Sequence, residues 1–183
     1  PSGAQGNKGN MLAKVGKDEI IINGQCSAWV SNGAVAQVAL GYLGADYGNG
    51  FFDADGRPHG VAVIIPLDLP GVSRGKPLDK LGQRSLPQGE IYFDNVRIPK
   101  NWMIAEPDFY IPLLDMVLAA ANAAMASFST GISRAAFEEA LVYSKERVQG
   151  LKPIMDHYAH KQKVFRLFAR TEACRALSRN VIN

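Results

Sequence analysis

The chain has 183 residues, 47% of them hydrophobic and 20% charged, with a formal net charge of +3. That supplies a buried core for one or two domains and is too apolar for a disordered tail. Two cysteines, Cys26 and Cys174, cannot build a disulfide framework or a four-ligand zinc site, and the polar, glycine-rich opening Pro1–Asn10 does not read as a secretory signal.

Glycine and proline divide the sequence. Sixteen of the 18 glycines and seven of the ten prolines precede Asn101, so a β-rich part with many turns should precede a helical part. Met11–Val15 and Glu19–Asn23 read as strands joined by the turn Gly16-Lys17-Asp18. Asn23-Gly24 is a hairpin signal, because a type I′ turn needs positive φ at both central residues, and Cys26–Val30 follows as a strand. Val35–Leu43, Val61–Pro66, Glu90–Phe93 and Val96–Ile98 read as four more. Tyr47–Gly60 reads as a loop, and Leu67–Gly89 as a long connection with little pattern. Strands without intervening helices predict an antiparallel β-barrel or sandwich.

Pro99, Pro107 and Pro112 punctuate a boundary near residues 101–112. Leu113–Val148 then reads as one long helix whose first part is crowded with alanine and serine. Its length matches a bilayer, but Asp115 and Asn122 lie inside it, so a buried bundle helix is expected and no transmembrane segment. Gly150 and Pro153 break it, and Ile154–Val181 makes a second helix, with Val164, Phe168, Thr171, Cys174 and Val181 on one face. Two helices cannot bury both apolar faces against each other, so further helices should complete a bundle, and the sequence reads as a piece of a longer protein. The segment from Leu113 onward holds ten basic and six acidic residues, which reads as solvated helix faces or as a site for an anion. Basic residues do not interleave with aromatics, so no nucleic-acid partner is expected.

Four ordered stretches carry a resemblance. They are Ile21-Ile22-Asn23-Gly24-Gln25 with Trp29-Val30-Ser31-Asn32-Gly33, then Gly71-Val72 with Lys80-Leu81-Gly82-Gln83-Arg84. Phe93-Asp94-Asn95-Val96-Arg97-Ile98-Pro99 follows, then Glu138-Glu139-Ala140 with Tyr143, Glu146-Arg147 and His157. Together the chain resembles the central part of the flavin-dependent acyl-CoA dehydrogenases. The resemblance implies an α+β fold: residues 1–104 as the antiparallel middle β-barrel domain, and residues 105–183 as a long helical hairpin, the truncated first half of a four-helix bundle. It also implies FAD as cofactor, an acyl-CoA substrate dehydrogenated at its α,β-positions, and an electron-transfer flavoprotein as electron acceptor. A homo-oligomer is implied as well, located in the cytoplasm or, in a eukaryote, the mitochondrial matrix.

The resemblance also suggests site residues. Trp29 is either a core or barrel-capping tryptophan or, as the resemblance implies, the indole that packs on the flavin ring with Val30 beside it. Ser31-Asn32-Gly33 alone reads as a turn; the resemblance makes Ser31 the hydroxyl on the flavin's polar edge. Arg147 either caps helix carbonyls or reaches the FAD pyrophosphate of a neighbouring subunit. His157 is either near the flavin or a solvent-facing structural histidine. His160, three residues on, lacks further matched ligands, so no metal is expected. Arg84 reads as structural, paired with an acid, and both cysteines read as small core residues. The catalytic base is expected outside these residues, beyond Asn183. The sequence departs from the family pattern at Leu86 and Gln88, at Ala121-Asn122, at Gly150, at Tyr158 and in the shortened loop Pro1–Gln5. These departures keep open a non-catalytic assembly module and a flavin oxidase or monooxygenase on the same scaffold.

Overall fold

A computed structural model describes residues 10–56, 59–105 and 107–182; the loop Pro1–Gln5 lies outside the described residues. The chain divides into two compact units, residues 1–114 and 115–183.

The first unit is a seven-stranded sheet. Its strands are β1 (Met11–Val15), β2 (Glu19–Gln25), β4 (Val38–Asp46), β5 (Gly60–Pro66), β6 (Val72–Arg74), β8 (Ile91–Pro99) and β9 (Met103–Ala105). They lie in the order β6-β8-β2-β1-β4-β5-β9. The short strands β3 (Val30–Ser31) and β7 (Gln88–Gly89) form a separate two-stranded ladder. Alternation puts one face inward: Met11 and Ala13, Ile20 and Ile22, Leu43 and Ala45, Val61, Val63 and Ile65 form the core with Ile91, Phe93, Val96 and Ile98.

The expectation of a wholly antiparallel barrel is corrected. β1 and β4 run parallel, with Leu12 opposite Gly44 and Lys14 opposite Asp46, so the sheet is mixed and curls as a half-barrel. The cause is edge occupancy. β2 turns back beside β1 and its other edge is taken by β8, so the chain returning as β4 finds a free edge only on β1.

The Asn23-Gly24 hairpin is also corrected, since both residues lie inside β2. Gly24 takes φ 116°, and a Cβ there would lie 1.9 Å from the Asn10 carbonyl oxygen, so glycine permits a close backbone approach rather than a turn. The register slips between Ile22 and Gly24 against β8, where Asn95 (φ 51°) donates its backbone N–H to Asn23 Oδ1 at 2.8 Å. This bulge explains why Glu90–Phe93 and Val96–Ile98 look like two strands. The inward phase shifts from Ile91/Phe93 to Val96/Ile98 across one extra residue of a single strand. Cys26–Val30 is not a strand either; only Val30–Ser31 pairs.

The helix α1 spans Pro107–Glu146 and α2 spans Tyr158–Ile182. α1 starts earlier than expected, with Pro107 in its first turn, and Pro112 lies inside it. Tyr110 from this first segment is buried with Ala62 and Ala105 against the outer side of β5 and β9. In the second unit the helices meet through a polar, small-residue seam. Ser127 Oγ lies 2.9 Å from Ser178 Oγ, Thr130 Oγ1 lies 3.3 Å from the Cys174 carbonyl oxygen, and Ser144 Oγ lies 2.7 Å from His160 Nε2. The Phe137 and Phe168 rings sit 5.7 Å apart. Val164, Thr171 and Ser178, seven residues apart, are the buried positions of α2 among the described residues. Cys174 and Val181, expected on the buried face, are exposed, because the contact with α1 covers only the stripe of Val164, Thr171 and Ser178. α1 is long and apolar enough, by length and composition alone, to cross a membrane.

Between the helices, β10 (Val148–Gln149) and β11 (Lys152–Pro153) form a minimal hairpin. Its two central residues, Gly150 (φ 61°) and Leu151 (φ 65°), are both left-handed, as a two-residue primed turn requires.

Candidate functional site

In the first unit the segment Trp29–Gly33 crosses the end of the sheet on the β3–β7 ladder. Val30 stands opposite Gly89 and Ser31 opposite Gln88. The following turn closes by the Gly33 N–H donating to the Val30 carbonyl at 3.0 Å and the Ala36 N–H to the Asn32 carbonyl at 2.7 Å. Asn32 takes φ 59° and donates its N–H to the Pro87 carbonyl at 2.7 Å. Gly33 allows the approach, since a Cβ there would stand 2.6 Å from the Gly89 carbonyl oxygen.

Within this frame the Trp29 side chain is not sealed in the sheet. Trp29 is 65% exposed, an unusual state for so large an apolar surface. A sealed core position for Trp29 is thereby excluded within this unit. Ser31 is exposed two residues on and Val30 is half-buried between them. Gln88, which the sequence flags only as a departure, places Nε2 3.3 Å from the Trp29 carbonyl oxygen and 3.4 Å from Ser31 Oγ. Beside it, the Tyr92 hydroxyl donates to Glu90 and Gln25 Nε2 donates to Glu90 Oε1 at 3.3 Å, and the Glu90 contact raises the Tyr92 phenol. Cys26, just before the segment, is half-buried, and desolvation pushes its thiol up to about 11, so it is a poor nucleophile. Arg84 pairs with Asp79 at 2.6 Å in an exposed loop, as the structural reading holds.

In the second unit, Arg147 and His157 flank the minimal hairpin on either side. The Arg147 carbonyl accepts the Ile154 N–H at 2.8 Å. His157 Nε2 lies 2.9 Å from the Gln149 carbonyl oxygen. A carbonyl only accepts, so Nε2 carries the proton and the ring clamps the hairpin to the start of α2. The structural alternative for His157 therefore has a visible basis. The Arg147 guanidinium is exposed and makes no hydrogen bond or ion pair to any described residue. Arg134 and Arg175 on the same helices are instead paired, with Glu138 at 2.7 Å and with Glu172. His160 donates to Ser144 Oγ, because the Ser144 proton already goes to the Ala140 carbonyl at 2.5 Å. Among the described residues no group of three metal-ligating side chains converges.

A depression of about 260 Å³ lies elsewhere on the first unit, lined by Lys14, Val15, Gly16, Glu19, Ile21, Asp46 and Gly48. Its acids are already committed. Asp46 accepts the N–H groups of Gly48 and Gly50, which hold its carboxyl below the usual carboxylate range, and Glu19 pairs with Arg97 at 2.5 Å. None of the candidate site residues Trp29, Val30, Ser31, Arg147 and His157 lines it.

Comparison with known proteins adds direct similarity. Residues 2–96 match the family model "Acyl-CoA dehydrogenase, middle domain" and residues 113–183 match "Acyl-CoA dehydrogenase, C-terminal domain". A glutaryl-CoA dehydrogenase from Desulfococcus multivorans is 30% identical over 161 residues, 88% of this chain and 40% of that protein. Among solved structures, a glutaryl-coenzyme A dehydrogenase in complex with glutaryl-CoA superposes with TM-score 0.83 at 28% identity, covering 94% of this chain and 42% of that one. Butyryl-CoA dehydrogenase from Megasphaera elsdenii superposes with TM-score 0.81 at 26% identity, covering 93% and 43%. The chain thus spans about 40% of the length of the first relative it matches.

Proposed function

The chain belongs to the acyl-CoA dehydrogenase family, and we propose that the protein carrying it is an FAD-dependent oxidoreductase that dehydrogenates an acyl-CoA thioester between its α- and β-carbons. The observation that carries this reading is the exposed indole of Trp29 two residues before the exposed Ser31, both held by the Gln88 amide through the Trp29 carbonyl and the Ser31 hydroxyl. A flat apolar surface next to a hydroxyl suits a planar heteroaromatic ring with a polar edge. An unpaired Arg147 fork suits a pyrophosphate. The residues present therefore fit FAD, which when bound supplies the two-electron acceptor for the reaction.

In this reading Trp29 packs on one face of the ring system, Val30 shields its rim, and the Ser31 hydroxyl bonds its polar edge. Arg147 holds the pyrophosphate of the FAD bound mainly by a neighbouring subunit of a homo-oligomer, and His157 keeps the hairpin beside Arg147 in place. The base that takes the α-proton belongs to a segment outside this chain. The chain's own contribution is orientation and exclusion of water, which raise the benefit of every charge placed on the substrate. An electron-transfer flavoprotein as acceptor, and a cytoplasmic or matrix location, complete the proposal. Serine, threonine and histidine contacts along the α1–α2 seam favour a soluble four-helix bundle for these helices over a membrane span.

The test is loading of the full-length apoprotein with FAD. One stacked aromatic and one hydrogen bond contribute about 1.5–3 kcal/mol together, so Trp29→Ala with Ser31→Ala should weaken FAD binding about tenfold or more. Unchanged affinity would remove the site assignment. The altered positions Ala121-Asn122 and Tyr158 favour a second reading, a non-catalytic relative; a full-length protein that is colourless and takes up no FAD would establish it. If the protein is yellow, oxygen consumption against dye reduction separates an oxidase or monooxygenase from a dehydrogenase.

A further inference from the structure

Gln88 is half-buried, and its side-chain amide touches both residues on which the proposed flavin site depends. The Trp29 carbonyl can only accept a hydrogen bond, so the Gln88 nitrogen, not its oxygen, faces it. The same NH2 has a second hydrogen, and Ser31 Oγ lies 3.4 Å away. Once Ser31 Oγ accepts that hydrogen, its own O–H remains to be donated, and no described residue accepts it. The hydroxyl is thereby left with one polarity towards whatever lies outside: it donates.

We propose that Gln88 is a positioning residue that makes Ser31 an outward hydrogen-bond donor and pins the backbone beneath the Trp29 indole. This rests on the flavin-binding reading, and it specifies that the bound group presents an acceptor atom at Ser31. The backbone of the same strand reinforces the arrangement. Gln88 is paired with Ser31 in the ladder, the Pro87 carbonyl takes the Asn32 N–H, and the Gly89 carbonyl lies against Gly33. Three consecutive residues of β7 and its approach therefore hold the Trp29–Gly33 segment, and only Gln88 acts through its side chain.

Gln88→Glu keeps the shape and reverses the polarity. A carboxylate has acceptors only, so it repels the Trp29 carbonyl and draws the Ser31 proton inward. Gln88→Met keeps the length and removes both hydrogen bonds. In the full-length apoprotein titrated with FAD, Gln88→Glu should weaken binding about tenfold and match Ser31→Ala, and Gln88→Met should weaken it about threefold to fivefold. Gln88→Glu combined with Ser31→Ala should be no weaker than Gln88→Glu alone, because the carboxylate has already removed the donor that Ser31→Ala removes. The visible absorption band of the bound flavin should shift with Gln88→Glu and Ser31→Ala alike. Binding by Gln88→Glu within twofold of the parent, with Ser31→Ala impaired, overturns the proposal and leaves the flavin site standing. Losses that add in the double variant and follow the melting temperature, with no spectral shift, make Gln88 merely structural and overturn it too. If Trp29→Ala and Ser31→Ala themselves leave FAD binding intact, the flavin reading falls, and this inference with it.

Discussion

Gly33→Ala is the sharpest test of how the Trp29 segment is held. A Cβ at residue 33 would stand 2.6 Å from the Gly89 carbonyl oxygen and 3.1 Å from both Val30 Cβ and the Val30 carbonyl oxygen. The first contact is roughly 0.8 Å short of ordinary van der Waals separation, so the β3–β7 ladder must open or the turn must move. Overpacking of this kind costs about 1–3 kcal/mol. The ladder has only two residue pairs, and each hydrogen bond in it contributes about 1 kcal/mol, so the strain is comparable to what holds the segment. The outcome is local opening, not global unfolding, because the core strands of the sheet are untouched. Amide exchange at Asn32, whose N–H donates to Pro87, should accelerate about fivefold to a hundredfold, with a small change in melting temperature and weakened FAD binding. If Asn32 exchange and FAD binding both stay at parental values, the close approach of Gly33 to β7 does not hold the segment, and the reasoning fails.

Two further expectations concern the rest of the first unit. Gly60→Ala would drive a Cβ to within 2.0–2.4 Å of the Tyr110 ring, so it should destabilise by about 2–3 kcal/mol. Tyr110→Ala alone should cost about 3 kcal/mol, and the double variant should cost at least 1 kcal/mol less than the sum in denaturant melts; strict additivity would refute the contact. Asp46 is held below the usual carboxylate range chiefly by the Gly48 and Gly50 N–H groups. Its folded pKa is depressed, so the stabilisation is complete above the ordinary aspartate value and is lost as pH falls through the folded one. Exchange at Gly48 and Gly50 should quicken on acidification, and Asp46→Asn, which keeps the acceptor oxygen, should abolish that pH dependence while sparing neutral protection. Persisting acid dependence in Asp46→Asn would assign it to another group.

The strands that sequence reading locates, β1 and β5 above all, are those whose apolar residues carry the core by themselves. Period-two alternation says which face is inward but nothing of strand direction, so the parallel β1–β4 pairing is invisible to it. β6 and β9 are three residues long, too short for any period, and exist because a longer partner strand offers an edge, while β7 pairs only with the equally short β3. Asn23-Gly24 shows the opposite failure, a strong local signal overridden by a distant partner. Asn95, 72 residues on, takes the Asn23 side chain into a bulge, and long-range pairing outweighs the local turn preference. Pro112 likewise lies inside α1, because the helix begins at Pro107, and its missing N–H forfeits one bond of the second turn.

The candidate site divides along the same line. Trp29 and Ser31 are legible because they sit in a contiguous motif, and Arg147 because an arginine at a helix end is legible as a charge. Their exposure is not legible, since an indole on a strand end is as consistent with a core as with a ligand until the partners of its neighbours are known. Gln88 is the instructive case. In sequence it is a loss, a residue of the wrong type at a position the family pattern keeps small and polar. In space its amide reaches 57 residues back to Ser31 and 59 back to Trp29, and a longer side chain from β7 can bridge both where a short hydroxyl could not. A substitution that looks like erosion of a site can therefore be a different way of fixing it. The discriminating feature is hydrogen-bond polarity, which follows from the amide's two hydrogens and the carbonyl's inability to donate, not from the residue's place in a motif.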